Sequence, residues 1–200
     1  MIVKSFEVNK INFLRNTFYL FYGENSGFKE EIIKKNFEEK YKKNIFRYEE
    51  KEILNNKENF FSSILSQSFF ENEKLIIILR ATDKFLPIIE EIIDKKISDI
   101  KLVLISNILE KKSKLRNYFE KKKNLICVPF YSDTNLTLNK FALNFFKNKN
   151  IPISQETLNF LIERCKGSRQ SLDNELSKIE SYTMNKKKIS IEEISKLTNL

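Results

Sequence analysis

Two hydrophobic periodicities alternate along the first two thirds of the chain, and only one runs through the last third. Short apolar runs stand at residues 18–22, 44–48, 75–79, 102–105 and 125–130. Brief, near-continuous runs of this kind predict strands covered on both faces. The run at 44–48 is the weakest, and Pro129 marks the end of the last. Between them, apolar residues recur at helical spacing: Phe28, Ile32, Ile33, Phe37 and Tyr41, then Phe60, Phe61, Ile64 and Leu65, then Phe85, Ile88, Ile89, Ile92 and Ile93. The charged stretch 111–123 is predicted helical, with Leu115, Tyr118 and Phe119 inward. Five strands separated by helices predict an α/β fold, a five-stranded parallel sheet with right-handed crossovers and flanking helices. Residues 1–16 read as a mixed lead-in with at most a short edge element. The polar stretch 49–59 reads as a loop.

After Tyr131 the strand pattern stops. Residues 132–135 (SDTN) read as a hinge, and a small all-helical domain follows. Leu138, Phe141, Ala142, Phe145 and Phe146 form one apolar face. Ser154 is placed to cap the next helix, with Ile153 and Leu158 as its hydrophobic staple. Leu158, Leu161, Ile162 and Cys165 line that helix, and Gly167 is placed to end it in a left-handed conformation. Leu172, Leu176 and Ile179 mark a third helix. Ser190 and Glu193 stand in capping-box spacing at the start of a last one, with Ile189 and Ile194 as its staple. The predicted organisation is an α/β domain over 1–131 and a helical lid over 136–200.

Composition narrows the chemistry. The chain has no histidine and no tryptophan, so histidine-based acid–base catalysis and histidine metal sites are excluded. Two cysteines, Cys127 and Cys165, cannot make a zinc site of the usual kind. Both lie in apolar patterns and read as buried thiols of a reducing cytoplasm. No window approaches the ~18 apolar residues of a membrane span, and no secretory signal is visible at the start. The formal charge of +9, from 36 basic and 27 acidic residues, permits attraction to nucleic acid. An AT-rich genome also enriches Lys, Asn and Ile, so the charge alone selects no partner.

The turn after the first strand carries the most specific signal. A strand, a turn opening at Gly23 and a helix opening near Phe28 form the setting of a phosphate-binding loop. Counted from Gly23, Lys29 takes the lysine position. Phe28 stands where the second glycine belongs, and Glu30 where the Ser or Thr belongs. A phenylalanine crowds the space that backbone N–H groups need around a phosphate. A glutamate adds negative charge beside a triphosphate. Two readings stay open on spacing alone: a phosphate loop with its nucleotide site dismantled, or an ordinary strand-to-helix turn.

These features, in order, resemble the delta subunit family of bacterial DNA polymerase III, the clamp-loader subunits of the AAA+ group that open the sliding clamp. FYLFYGENSGFKEE is similar to the family's opening strand and degenerate phosphate loop. SQSFFENEKLIIIL resembles its clamp-binding segment and following strand. KLVLISNILEKKSKLRNYFEK resembles the next strand and its basic helix, and CKGSRQSLDNELSKIESY the glycine-initiated lid helix. The resemblance implies a non-catalytic subunit of a nucleotidyltransferase complex, with no cofactor, no metal and no catalytic residue of its own. Its partners would be the sliding clamp (beta) and other loader subunits, with DNA met weakly or indirectly, in the cytoplasm and at no membrane. Arg80 and Ala81 replace the acidic pair of an active AAA+ strand end, and Gln170 stands where an active lid carries arginine. Arg169, beside it, is expected to face elsewhere, about 100° around the helix. Asn107 would be a relic of a phosphate sensor. A collar domain would begin about where residue 200 stands.

The implied clamp site is Phe69 and Phe70, after Gln67 and Ser68. Phe61, Leu65 and Phe69 share a helix face by their spacing of four and are expected to pack inward, which leaves Phe70 outward. Core packing of both rings is the competing reading. Lys111, Lys112, Lys114 and Arg116 either face DNA phosphates or form a solvated helix face. Competing functions are a divergent P-loop NTPase using Lys29 with Glu30 or Asp83 as metal ligand, a delta-prime-type subunit, whose zinc-binding cysteine cluster is missing here, and a basic DNA-binding module.

Overall fold

Five apolar runs become the strands of one sheet, four of them buried and one half exposed at its edge. The computed structural model describes residues 1–200 except 14, 16, 42–43, 66–72, 98, 184–190 and 198–200. The strands are β1 (Phe18–Tyr22), β2 (Ile45–Glu49), β3 (Lys74–Leu79), β4 (Ile100–Ile105) and β5 (Leu125–Pro129). All neighbours pair in parallel, in the order β2-β3-β4-β1-β5. The register sets Leu20 opposite Leu104 and Cys127, and Ile76 opposite Leu102. Strands β1, β3, β4 and β5 are buried along nearly their whole length. Edge strand β2 is half exposed, which is why its apolar signal was weaker.

The chain divides into two compact units, Met1–Glu24 with Lys29–Tyr131, and Asn25–Phe28 with Ser132–Leu200. In the first unit, one sheet face packs Leu20, Ile76, Ile78, Leu102 and Leu104 against Phe60, Phe85, Ile89, Leu115 and Phe119. Tyr19 and Phe21, on the other face, meet Phe37 at ring-centroid distances of 5.1 and 6.5 Å. Helix α1 (Ser26–Ile33) runs into a wider π turn at Lys34–Glu38 and one more turn at Glu39–Tyr41. The π turn seats Phe37, which is fully buried.

Three local expectations change. Residues 49–59 are not a loop: α2 (Glu50–Asn55) and α3 (Lys57–Leu65) meet there. Glu49 and Glu52 form a reciprocal capping box that starts α2. Leu65 does not pack inward with Phe61 but is 52% exposed, while Phe60, Phe61 and Ile64 are buried. The basic helix is shorter than 111–123. It is α5 (Lys114–Lys121), capped by the Ser113 hydroxyl, so Lys111 and Lys112 precede it. Between them, α4 (Leu86–Asp94) follows a short 3₁₀ turn, Asp83–Phe85, that Thr82 caps. The lead-in forms a 3₁₀ turn at Ser5–Lys10 and one bridge, Ile2 beside Cys127, along the β5 edge.

The second unit holds α6 (Asn135–Asn148), α7 (Gln155–Arg164), α8 (Arg169–Thr183) and α9 (Ile191–Leu197). Leu138, Ala142, Phe146, Leu158, Leu161, Leu172, Leu176, Ile179 and Ile194 close its core. Ser154 accepts a hydrogen bond from the Thr157 N–H and caps α7 as its sequence position predicts. The left-handed turn after α7 is shared by Lys166 at φ 49° and Gly167 at φ 79°. Gly167 is left-handed as its sequence position predicts, and Lys166, the first residue past the Cys165 cap, shares that conformation. Cys127 and Cys165 are both buried free thiols, pushed up by burial to about 12 and about 11. Among the described residues, no helix is long and apolar enough to cross a membrane.

Candidate functional site

The turn after β1 is built differently in its two halves. In the first unit, Gly23 takes φ 120°, and a Cβ there would lie 2.2 Å from the Phe130 carbonyl oxygen. Only glycine fits this close approach. Its N–H donates to the Asn107 carbonyl at 3.0 Å. Lys29 is 3% exposed. Its ammonium donates to the Gly23 carbonyl at 2.8 Å and to the Ser106 carbonyl at 2.8 Å. Burial holds its pKa below the usual lysine value. The Ser106 hydroxyl in turn donates to the Ala81 carbonyl at 2.7 Å, and the Ala81 N–H to the Ile105 carbonyl at 2.9 Å. The lysine is thus part of a set of bonds stitching the ends of β1, β3 and β4 together.

The other candidate metal and phosphate residues of this unit are engaged as well. Glu30, at the hydroxyl position, accepts from Arg47 of β2 at 2.9 Å. Asp83 accepts from the Ser113 hydroxyl at 2.6 Å and from the Leu115 N–H at 3.0 Å. Burial raises the Asp83 carboxyl, but these bonds and the nearby Lys114 outweigh it, and the pKa is lowered. It holds the start of α5. Arg80 sits at φ 56° and pairs with Glu49 at 2.6 Å.

In the second unit, the Asn25–Phe28 half of the turn takes part in a polar network. The Asn25 side-chain carbonyl accepts from the Phe28 N–H at 3.0 Å, and its amide donates to Asp133 at 2.7 Å. Asp133 also accepts two bonds from Arg169, at 2.8 and 3.1 Å, and one from Thr137 at 2.7 Å. The Arg169 guanidinium lies 4.2 Å from the Phe28 ring centroid and 4.5 Å from that of Phe141. Phe28, at the position of the second glycine, is therefore one face of an arginine sandwich. A Cβ on Gly27 would come within 2.8 Å of the Gln170 backbone nitrogen.

Asp133 and Arg169 went unrecognised as partners in the sequence. Arg169 forms a bidentate ion pair with Asp133, a residue of the stretch read only as a hinge. Gln67, Ser68, Phe69 and Phe70 lie outside the described residues, as do Ser190 and the start of the last predicted helix. Of the possible DNA-facing residues, Lys111, Lys112 and Lys114 are exposed, and Lys112 pairs with Glu110 at 2.9 Å. Arg116 is partly buried. It pairs with Glu120 at 2.8 Å, donates to the Leu109 carbonyl at 3.1 Å and lies 5.0 Å from the Tyr22 ring.

No protein-family model matches the sequence, and no curated protein matches it. Solved structures do. The Bacillus subtilis DNA clamp loader delta protein matches with a TM-score of 0.62 at 16% identity, over 97% of this chain and 61% of that one. The Thermotoga maritima RuvB Holliday junction branch migration motor matches with a TM-score of 0.56 at 12% identity, over 90% of this chain and 60% of that one. The chain spans about three fifths of the length of these neighbours. At such identities the likeness establishes the fold alone, a five-stranded parallel sheet with flanking helices and a helical C-terminal part.

Proposed function

We propose that this chain is a delta-like clamp-loader subunit of the replicative DNA polymerase III holoenzyme. It binds and opens the sliding clamp for loading on primed DNA and hydrolyses no ATP itself. The domains are 1–131 and 136–200, and the site of action is the cytoplasm. The observation that carries this reading is Lys29. A phosphate-loop lysine must offer its ammonium to a nucleotide, and here both carbonyl contacts belong to the protein's own backbone. Phe28 supports the same conclusion, because its ring is stacked on Arg169. The match to a clamp loader delta protein over 97% of this chain supports the choice among nucleotide-independent roles.

The clamp contact is assigned to Phe69 and Phe70, with Gln67 and Ser68 leading into them. A phenylalanine seated in an apolar pocket of a partner contributes roughly 1.5–3 kcal/mol. A ring opens only if that energy is larger for the open form than for the closed one. ATP then acts through neighbouring subunits, and Lys111, Lys112, Lys114 and Arg116 meet DNA phosphates weakly.

The test is binding of this chain to the sliding clamp of its own organism, beside the Phe70→Ala variant. The expected result is nucleotide-independent binding, weakened by ~1–3 kcal/mol in the variant with little change in melting temperature. No clamp binding, or a variant that loses stability while affinity is unchanged, overturns the assignment.

A further inference from the structure

Helix α6 has two ordered faces, and the bundle uses one. Leu138, Ala142 and Phe146 are buried in the core of the second unit. Leu136, Lys140, Leu143 and Lys147 follow one another at spacings of four, three and four. At about 100° per residue they fall in a band about 60° wide, on the side away from that core. Leu136 is 65% exposed and Leu143 42%. Both lysines are exposed. Among the described residues neither lysine has an ion-pair partner. The helix sequence NLTLNKFALNFFKN contains no acidic residue at all.

We infer that this stripe is a docking surface for an acidic amphipathic helix of a partner protein. Leucines seven residues apart fill one of the two seam positions of a heptad, and the lysines four residues on from each make one flank of that seam basic. A facing helix with apolar seam residues and glutamates beside them would cover the leucines and neutralise both lysines. The charge pattern discriminates among occupants. A second copy of this chain would set lysine against lysine. Nucleic acid would satisfy the lysines but leave the leucines in water. A lipid surface needs a broad apolar face, and the broad apolar face of α6 is already committed to the core.

The probe is a synthetic helical peptide with leucine at its seam positions and glutamate at the flanking ones, titrated against the whole chain by fluorescence anisotropy. The expected result is saturable binding. It weakens at least ~tenfold in the Leu136→Ala/Leu143→Ala variant and in the Lys140→Glu/Lys147→Glu variant, with unchanged melting temperatures. The charge-swapped variant should instead take a peptide whose glutamates are replaced by lysine. Several outcomes overturn the inference. These are no peptide binding, binding indifferent to the leucine variants, and binding of duplex DNA or phosphatidylserine vesicles through the same lysines without peptide binding. Self-association lost in the leucine variant overturns it too.

Discussion

An arginine that is 9% exposed between two phenylalanine rings needs a counter-charge, and Asp133 supplies it with both carboxylate oxygens. Breaking such a pair from one side leaves an uncompensated buried charge, at a cost of about 3–5 kcal/mol. Asp133→Ala should therefore lower the unfolding free energy by about that amount at neutral pH. The pH dependence follows from the direction of the shift. Burial raises the Asp133 carboxyl, but bonds from Arg169, Thr137 and Asn25 outweigh it and depress the pKa. A carboxylate depressed in the folded state stabilises fully above its unfolded value, ~3.9, and loses that contribution as pH falls through the folded one. Denaturant unfolding of both proteins from pH 7 downward should show the wild-type advantage shrinking below about pH 4. A gap that stays constant into acid would mean that packing, not charge, makes the difference. This pair was not legible in the sequence. Helical spacing relates Arg169 only to its neighbours on the same helix, and no local rule reaches a partner in a separate loop.

Elements were legible in proportion to how locally they are determined. Strands β1, β3, β4 and β5 are covered on both faces, so each is apolar along nearly its whole length; the exceptions are Lys74 at the start of β3 and Lys101 in β4, which is buried beside Glu73 at 3.4 Å. The α6 face Leu138, Ala142 and Phe146 and the Ser154 cap needed only short-range spacing. Helix α2 did not announce itself, because its sequence EKEILN has little apolar periodicity. Two other things hold it. Glu52 accepts from the Glu49 N–H at 3.0 Å, closing the capping box. Glu50 is buried and accepts the Thr82 N–H at 2.7 Å and its hydroxyl at 3.0 Å, a tertiary partner invisible from the stretch itself. Glu52→Ala removes one side of the box and should cost about 1 kcal/mol, measured by chemical denaturation. A wild-type-like midpoint would assign α2 to Glu50 and Ile53 alone. Leu65 shows the opposite error: spacing from Phe61 put it inside, yet it lies exposed at the last described turn of α3.

For the molecule as a whole, the question is whether Lys29 serves a ligand or the fold. The two roles make opposite predictions for one substitution. If the ammonium held a nucleotide, Lys29→Met would leave unliganded stability nearly unchanged and abolish stabilisation by ATP. Here the ammonium satisfies the Gly23 and Ser106 carbonyls at the ends of β1 and β4. Removing it strands buried acceptors, which costs about 1.5–3 kcal/mol for bonds made by a charged donor. Wild-type protein with magnesium and ATP should show no rise in melting temperature. A ligand bound at 100 times its dissociation constant would add ~2.7 kcal/mol, enough to raise the melting temperature by several degrees. Lys29→Met should melt lower with or without ATP. A nucleotide-dependent rise in the wild type that vanishes in a variant of unchanged intrinsic stability would restore a working phosphate loop. The proposal of a nucleotide-independent subunit would fall with it.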